Sequence, residues 1–145
     1  PWPHIFDPFR NAVAGKKVAV IGHFPFAPKA LNQAADFYML ERSLNEGDYP
    51  DSAAEYILPE CDYVFITGSA FVNKPAPRLL ELSRESFNVV LGPSTPLAPV
   101  LLEDYGVSQV TGMVPTSPLA MFESLSGTDA ATTMFEWGHR AELSA

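Results

Sequence analysis

The sequence contains a single cysteine, Cys61, in 145 residues. One cysteine excludes an internal disulfide and cannot by itself build a cysteine-based zinc or iron–sulfur site. Such a composition is usual in reducing compartments, so we expect a cytoplasmic protein. The chain needs no covalent staple, because 47% hydrophobic residues over this length are enough to bury the core of one globular domain.

Clusters of positive charge are also lacking. The chain has nine basic and 17 acidic residues, and its longest basic run is Lys16-Lys17. Without a basic footprint for a phosphate backbone, we expect no nucleic-acid partner. No apolar stretch approaches the roughly 20 residues that cross a bilayer, and residues 1–4 do not resemble an export signal. We therefore expect no membrane partner. Because the chain begins without methionine, we expect it to be a piece of something longer.

Five short apolar runs bounded by turn residues predict β-strands. Three of them, the first, third and fourth, are nearly continuous hydrophobic stretches rather than alternating ones. This pattern is typical of a parallel sheet that is covered on both faces. The predicted strands are residues 17–21, 36–40, 63–67, 88–91 and 109–114.

The stretches between these runs carry the signals of helix starts. Ser52 and Glu55 have the spacing of a capping box, and Pro77 and Pro99 stand where helices tolerate proline. Ser117 precedes a further proline and an apolar stretch, which predicts another helix. Additional helices are predicted over residues 6–14 and within 22–35.

Strands that alternate with helices indicate βαβ units. We therefore predict an α/β protein with a three-layer Rossmann-like fold, in which a mostly parallel five-stranded sheet has helices on both faces. The prediction is one domain over residues 1–145, with a helical lead-in at 1–14 and a C-terminal arm at 126–145.

The candidate ligand site lies in the loops that follow the strands. In an open parallel sheet, ligands bind beyond the carboxyl ends of the strands, near the point where strand order reverses. This rule selects Gly22, His23 and Phe24 after the first strand, Glu41 and Arg42 after the second, Thr67, Gly68, Ser69 and Asn73 at the end of the third, and Gly92, Ser94 and Thr95 after the fourth.

The sequence lacks the glycine pattern of a dinucleotide site after its first strand. That site needs Gly-x-Gly-x-x-Gly, so that backbone can approach a pyrophosphate at a helix N-terminus. Only Gly22 is present, and Phe24, Pro25 and Phe26 fill the space that the glycines should leave empty. A standard NAD or FAD cofactor is therefore not expected. A Walker loop and the Gly-x-Ser-x-Gly motif of hydrolases are also absent.

His23 is the titratable residue of most interest, because imidazole can be a metal ligand or an acid and base near neutral pH. A histidine packed between a strand and aromatic rings is the alternative. With Glu41 it forms the candidate ligand pair for a divalent metal. His4 and His139 lie near opposite ends of the chain. They could join His23 only if the termini fold back or a second subunit contributes.

The other candidates each have a structural reading beside the functional one. Glu41 stands where an acidic residue binds ribose in dinucleotide domains, or is a solvated residue at a strand end. Thr67 and Asn73 suit a polar ligand or an ordinary turn. Ser94 and Thr95 could hold an anion at a helix start or simply cap the helix.

Six segments carry a family resemblance between about residues 15 and 113. They are Val-Ala-Val-Ile-Gly-His-Phe-Pro-Phe (18–26), Glu-Arg (41–42), Gly-Asp-Tyr-Pro-Asp (47–51), Ile-Thr-Gly-Ser (66–69), Val-Asn (72–73) and Leu-Gly-Pro-Ser-Thr-Pro-Leu (91–97). In this order they resemble the uncharacterised bacterial and archaeal family called "putative heavy-metal chelation domain".

The resemblance implies a Rossmann-like C-terminal domain. In longer members this domain follows a small α+β domain similar to the N-terminal domain of enolase, and a site is proposed in the cleft between the two. This sequence does not include that small domain, so we expect it to carry one wall of the site. A homodimer, or a partner that supplies the missing domain, is expected to pair with apolar surface around Trp2, Phe6, Phe9 and Trp137.

Two hypotheses for the function remain open. In the first, the domain is a binding module for a metal, a metal complex or a small chelating molecule, and uses His23, Glu41, Thr67, Asn73 and Ser94. In the second, it is part of an enzyme that acts on a small anionic or polar metabolite. His23 would then be the acid and base, and the loop at Ser94 would hold the anionic group.

Overall fold

The strands of the protein form one seven-stranded sheet in the order β3-β2-β1-β4-β5-β6-β7. The structure is a computed structural model and describes residues 4–22, 24–41, 46–72, 75–127 and 134–145. Neighbouring strands are parallel, except that β6 and β7 are antiparallel. The strands are β1 (Lys17–Ile21), β2 (Asp36–Glu41), β3 (Tyr49–Pro50), β4 (Tyr63–Thr67), β5 (Phe87–Leu91), β6 (Gln109–Pro115) and β7 (Gly138–Ser144).

All five predicted strands are present, with ends that differ by no more than one residue, and the α/β class is confirmed. The sheet has two more strands than predicted. One is the two-residue β3, and the other is β7, which lies where we predicted a C-terminal arm. An edge strand needs no hydrophobic face, and most of β7 is exposed and polar, so its sequence gave no strand signal.

Helices connect the parallel strands, and most of them are short. They are α1 (Ala27–Ala30), α2 (Ala54–Ile57), α3 (Ala76–Leu82), α4 (Val100–Glu103) and α5 (Pro118–Leu125). Two predictions need correction. Ser52 does not cap α2, because it lies within a 3-10 turn, Asp51–Ala53, and the helix begins only at Ala54. Residues 6–14 contain the 3-10 turn Asp7–Phe9 in place of a helix.

Successive residues of the central strands point into two separate cores, as a sheet covered on both faces requires. Ala19 and Ile21 lie in the core beneath α2, α3 and α4. Val18 and Val20 lie in the opposite core, which the N-terminal segment and α1 cover. Burial of each such aliphatic side chain contributes roughly 1.5–3 kcal/mol to folding.

The aromatic residues of the N-terminal segment are part of the second core. Phe6 and Phe9 are buried, and Phe6 packs edge-on against Phe65 at 5.3 Å between ring centres. The expectation that Phe6 and Phe9 form an exposed pairing surface was therefore wrong, because they cover the sheet of their own domain. Trp137 is 39% exposed, and Trp2 lies outside the described residues. The homodimer stays a prediction.

The path of the chain places a topological switch between β1 and β4. From β1 the chain passes through α1 to β2 on one side, and from β4 it passes through α3 to β5 on the other. The two crossovers run over opposite faces of the sheet. Their loops therefore diverge above the β1/β4 pair and leave a crevice there. Within the described part of the chain, no helix is long and apolar enough to cross a membrane.

Candidate functional site

A cleft of about 280 Å³ opens at the carboxyl ends of β1, β2 and β4. We call it the switch-point cleft, because it lies beside the place where strand order reverses. Its floor is apolar, and polar groups surround the opening. The residues that line it are Ile21, Gly22, Leu40, Glu41, Asp51, Ser52, Ala54, Glu55, Thr67, Ser69, Ala70, Pro75, Arg78, Leu79 and Leu82.

Gly22 and Thr67 meet where β1 and β4 end. Gly22 has a φ angle of +112°, and a Cβ atom built on it would lie 2.9 Å from both Cβ and Cγ2 of Thr67. Glycine therefore permits both the backbone turn and the position of the threonine over the end of β1. This contact places the Thr67 side chain in the wall of the cleft.

Two hydroxyl groups lie side by side in this wall. Thr67 Oγ1 is 3.0 Å from Ser69 Oγ and also accepts the Ser69 N–H at 3.4 Å, which caps the 3-10 turn Gly68–Ala70. The pair has two hydroxyl protons, but one hydrogen bond between the two oxygens uses only one of them. The other proton can be donated to a molecule in the cleft.

Glu41 ends β2, which lies on the other side of β1 from β4, and it also lines the cleft. The residue is half-buried. Within the described ranges its side chain makes no hydrogen bond or ion pair. Both carboxylate oxygens are therefore acceptors that a bound molecule could use.

Arg78, on α3, joins the two helices that form the outer wall. Its Nε and Nη2 donate to the two oxygens of Glu55 at 2.8 and 2.6 Å, and its Nη1 donates to Glu81 at 2.7 Å. These hydrogen bonds lower the pKa of Glu55 and raise the pKa of Arg78. Since this guanidinium is already bound to two carboxylates, it has little capacity left for an anionic ligand.

The charges of the described lining residues sum to a negative cleft. Glu41, Asp51 and Glu55 are acidic, whereas Arg78 is the one basic residue among them. The whole chain also has a net charge of −8. The described part of the lining therefore favours neutral or positively charged ligands over anions.

The loop after β1 packs its aromatic side chains against the hydrophobic core. Phe24 and Phe26 pack around Phe6 at 5.4 and 5.7 Å between ring centres. The N–H of Ala27, at the start of α1, is bonded to the Phe24 carbonyl at 2.9 Å, and Pro28 has no N–H. The first two positions of α1 thus offer no free N–H to a pyrophosphate. Phe24, a candidate ligand contact, does not line the switch-point cleft.

The loop after β5 lies over the end of β4 instead of in the cleft. Thr95 is buried against Gly68, and a Cβ atom at Gly68 would be 2.5 Å from the Thr95 nitrogen. Ser94 is exposed, and Gly92, Ser94 and Thr95 are not lining residues of the cleft. The structure thus brings Gly22, Glu41, Thr67 and Ser69 together and places the β5 loop beside them.

Three candidates, His23, Arg42 and Asn73, lie outside the described residues, as does any metal site that includes them. Over the described ranges, no three His, Cys, Asp or Glu side chains are close enough to hold a metal ion. His4 bonds to Asp7 at 2.8 Å near the N-terminus, and His139 lies on β7. Neither of these two histidines lines the switch-point cleft.

Cys61 is the remaining strong metal donor, and it lies at the wrong end of the sheet for the cleft. It precedes β4, whereas the cleft is beyond the carboxyl end of that strand. Burial raises the pKa of the Cys61 thiol to about 11. The described residues of the cleft therefore offer oxygen donors alone, which are poor partners for soft metals.

Sequence reasoning did not select Asp51, Ser52, Glu55 or Arg78 as lining residues of the cleft. Glu55 and Arg78 are 23 positions apart, and only the packing of α2 against α3 brings them together. Two charged residues that far apart along the chain form no local pattern from which their ion pair could be predicted.

The fold is Rossmann-like, and the candidate cleft lies at its topological switch. A family model described as "Putative heavy-metal chelation", the DUF364 family, matches residues 4–141. The chain belongs to this family, which confirms the resemblance seen in the sequence.

Solved structures from the same family share the fold. A protein of unknown function from Desulfitobacterium hafniense is 40% identical, with a TM-score of 0.89 over 97% of this chain and 57% of that one. A protein from Pyrococcus horikoshii is 22% identical, with a TM-score of 0.82 over 90% of this chain and 55% of that one. An uncharacterized protein of Methanocaldococcus jannaschii is 28% identical over 66% of this chain and 39% of its own length. The chain thus spans 39% to 57% of the length of these relatives.

Proposed function

We propose that this domain binds a small metal complex in the switch-point cleft and recognises the organic molecule that carries the metal. The family description supports a role in handling heavy metals. The observation that supports this function is the composition of the cleft lining. It combines the Glu41 carboxylate and the Thr67–Ser69 hydroxyl pair with an apolar floor.

The chemistry of the donors favours a complex over a bare ion. Heavy metals prefer nitrogen and sulfur ligands, and the described lining offers oxygen. A chelating molecule brings its own ligands to the metal and leaves its outer surface for the protein. His23, which follows Gly22 directly in the sequence, would be the residue to add a ligand from the protein.

The charge of the cleft sets a second condition. Glu41, Asp51 and Glu55 outnumber Arg78 among the described lining residues. A complex with zero or positive net charge is therefore expected to bind more tightly than an anionic one.

Isothermal titration with Ni²⁺, added as the chloride and as its one-to-one complex with histidine, tests this function. The complex is expected to bind with one-to-one stoichiometry and more tightly than the free ion. Glu41→Gln should weaken that binding about tenfold, since a hydrogen bond to a charged acceptor becomes one to a neutral amide. Glu103→Gln, an exposed residue on α4, is the matched control.

His23→Ala separates a metal ligand from a packed side chain. If His23 ligates the nickel, its loss weakens binding of both forms of the metal. The proposed function fails if neither form of Ni²⁺ binds saturably, or if Glu41→Gln binds the complex as well as the wild type does. Thermal stabilisation by a small carboxylic acid, without binding of nickel, would favour the metabolite enzyme instead.

A further inference from the structure

The switch-point cleft has the ribose half of a dinucleotide site without its phosphate half. We propose that the organic molecule bound here is a ribonucleoside without a 5′ phosphate, held by its ribose hydroxyls on the Glu41 carboxylate. The inference rests on the proposed function in one respect, namely that the cleft takes up a small organic molecule.

The position of Glu41 at the end of β2 is the first observation that supports a ribose site. In Rossmann-like sheets, an acidic residue at the end of the second strand accepts hydrogen bonds from the ribose of the bound nucleotide. Glu41 is the last residue of β2, next to the switch, and it lines the cleft. Its two oxygens have no partner within the described part of the chain, and a carboxylate can accept from both hydroxyls of a cis diol.

The rest of the lining suits a flat aromatic base. Ile21, Leu40 and Leu79 are among the aliphatic residues of the floor and walls. Across from Glu41, the Thr67–Ser69 hydroxyl pair has one proton to donate to a ring nitrogen or a carbonyl oxygen of the base. An apolar slot with a few placed polar groups is the usual composition of a small-molecule site.

The size of the cleft suits one nucleoside. Its volume of about 280 Å³ is just below the roughly 300–1,000 Å³ found for small-molecule sites. A dinucleotide would have to continue across the loop after β1. Phe24 and Phe26 fill that loop by packing around Phe6.

Two further observations disfavour a phosphate on the nucleoside. The start of α1 has no free donor at Ala27, whose N–H is bonded to the Phe24 carbonyl, or at Pro28, which has none. The described cleft residues are also net acidic, with three acidic residues against Arg78. The guanidinium of Arg78 is itself bound to Glu55 and Glu81. A phosphate would thus lose its hydrogen bonds to water without equal replacement.

Titration calorimetry with adenosine, guanosine, cytidine and uridine tests the inference. At least one of the four should bind saturably to the wild type, and its 2′-deoxy counterpart should bind roughly tenfold more weakly, because one hydroxyl of the diol is missing. The 5′-monophosphate of the same nucleoside should also bind more weakly than the nucleoside.

Variants of the carboxylate decide whether Glu41 reads the diol. Glu41→Gln should bind the ribonucleoside about tenfold more weakly and should lose most of the preference over the 2′-deoxy form. Glu103→Gln should keep both the affinity and the preference. The preference is the ratio of two dissociation constants, for the ribonucleoside and its 2′-deoxy form, measured on the same protein. A general loss of stability in a variant would therefore not abolish it.

The outcomes separate this inference from the proposed function. If none of the four nucleosides binds, or if ribo and 2′-deoxy forms bind wild type equally, the nucleoside inference is overturned. Binding of the Ni²⁺–histidine complex in that case leaves the metal-complex function standing. Binding of a nucleoside without binding of nickel would overturn the metal-complex function alone.

Discussion

Gly68 lies directly beneath Thr95, so closely that no side chain fits between them. A Cβ atom at Gly68 would stand 2.5 Å from the Thr95 nitrogen, 2.6 Å from its Oγ1 and 2.7 Å from its Cα. Two of these three atoms belong to the backbone and cannot turn away. The contact holds the loop after β5 over the end of β4, and Gly92, Ser94 and Thr95 of this loop do not line the switch-point cleft.

Gly68→Ala is expected to destabilise the fold by about 1–3 kcal/mol, because the β5 loop must shift to admit the methyl group. Urea denaturation followed by circular dichroism measures this change in the free energy of unfolding. Gly127→Ala is the control, since a Cβ atom there would meet only the Ser124 oxygen at 3.4 Å. It should change stability by less than about 0.5 kcal/mol. Equal effects of the two substitutions would contradict the close contact.

Thr95→Val is expected to leave stability unchanged or to raise it by up to about 1 kcal/mol. The Thr95 hydroxyl is buried and has no hydrogen-bond partner among the described residues, so valine removes an uncompensated polar atom at nearly the same shape. Thr111→Val is the matched control, because buried Thr111 accepts a hydrogen bond from Gln109 at 3.2 Å. That variant should lose about 1 kcal/mol. A loss of the same size in Thr95→Val would mean that its hydroxyl has a partner.

Glu55→Gln is expected to lower the melting temperature at pH 7 but not in strong acid. Hydrogen bonds from Arg78 hold the pKa of Glu55 below 4.5, its value as a free side chain. A carboxylate whose pKa is lowered by folding contributes stability above its unfolded pKa. It loses that contribution as the pH falls through its folded pKa. Thermal unfolding of both proteins across pH 2–7 should show the two curves converging in acid.

The exposure of this ion pair adds a second condition. Because Arg78 and Glu55 are both about half exposed, 1 M salt should shrink the difference at pH 7. Glu103→Gln is the control and should show neither dependence. A difference at pH 2 as large as that at pH 7 would contradict the role given to the Glu55 charge.

Cys61 is expected to react slowly with iodoacetamide in the native protein. Burial raises the pKa of its thiol to about 11, so only about one molecule in a thousand carries the thiolate at pH 8. Mass spectrometry should show little modification of native protein and rapid modification in urea. The native rate should keep rising with pH toward 11. A rate at pH 8 equal to that of the unfolded chain would contradict the burial of the thiol.

Several elements of the fold were predictable because their signals are local. The nearly continuous apolar runs at 17–21 and 63–67 can be buried only in a sheet covered on both faces, and both are central strands. Pro118 and the apolar residues after it likewise predicted α5. β7 was missed, since an exposed edge strand is stabilised by pairing with β6 and not by its own hydrophobic pattern.

The candidate site divides along the same line. That Gly22, Glu41 and Thr67 follow strands could be deduced from the sequence, and the rule for parallel sheets then placed them on one edge. The exclusion of Thr95 from the cleft could not be deduced, because it depends on the contact with Gly68. The ion pair between Arg78 and Glu55 could not be deduced either, because the two residues are far apart in the sequence. This pair occupies a guanidinium that could otherwise have bound an anion.

The sequence by itself determined the α/β class, the central strands, the family and the absence of a glycine-rich phosphate loop after β1. Each of these depends on neighbours along the chain, whose side-chain period and turn residues act over a few positions. Only the tertiary structure decided which strand ends share a cleft, that β7 pairs with β6 at the edge of the sheet, and that the described cleft residues are net acidic. These properties arise from contacts between residues distant in sequence, and packing alone brings such residues together.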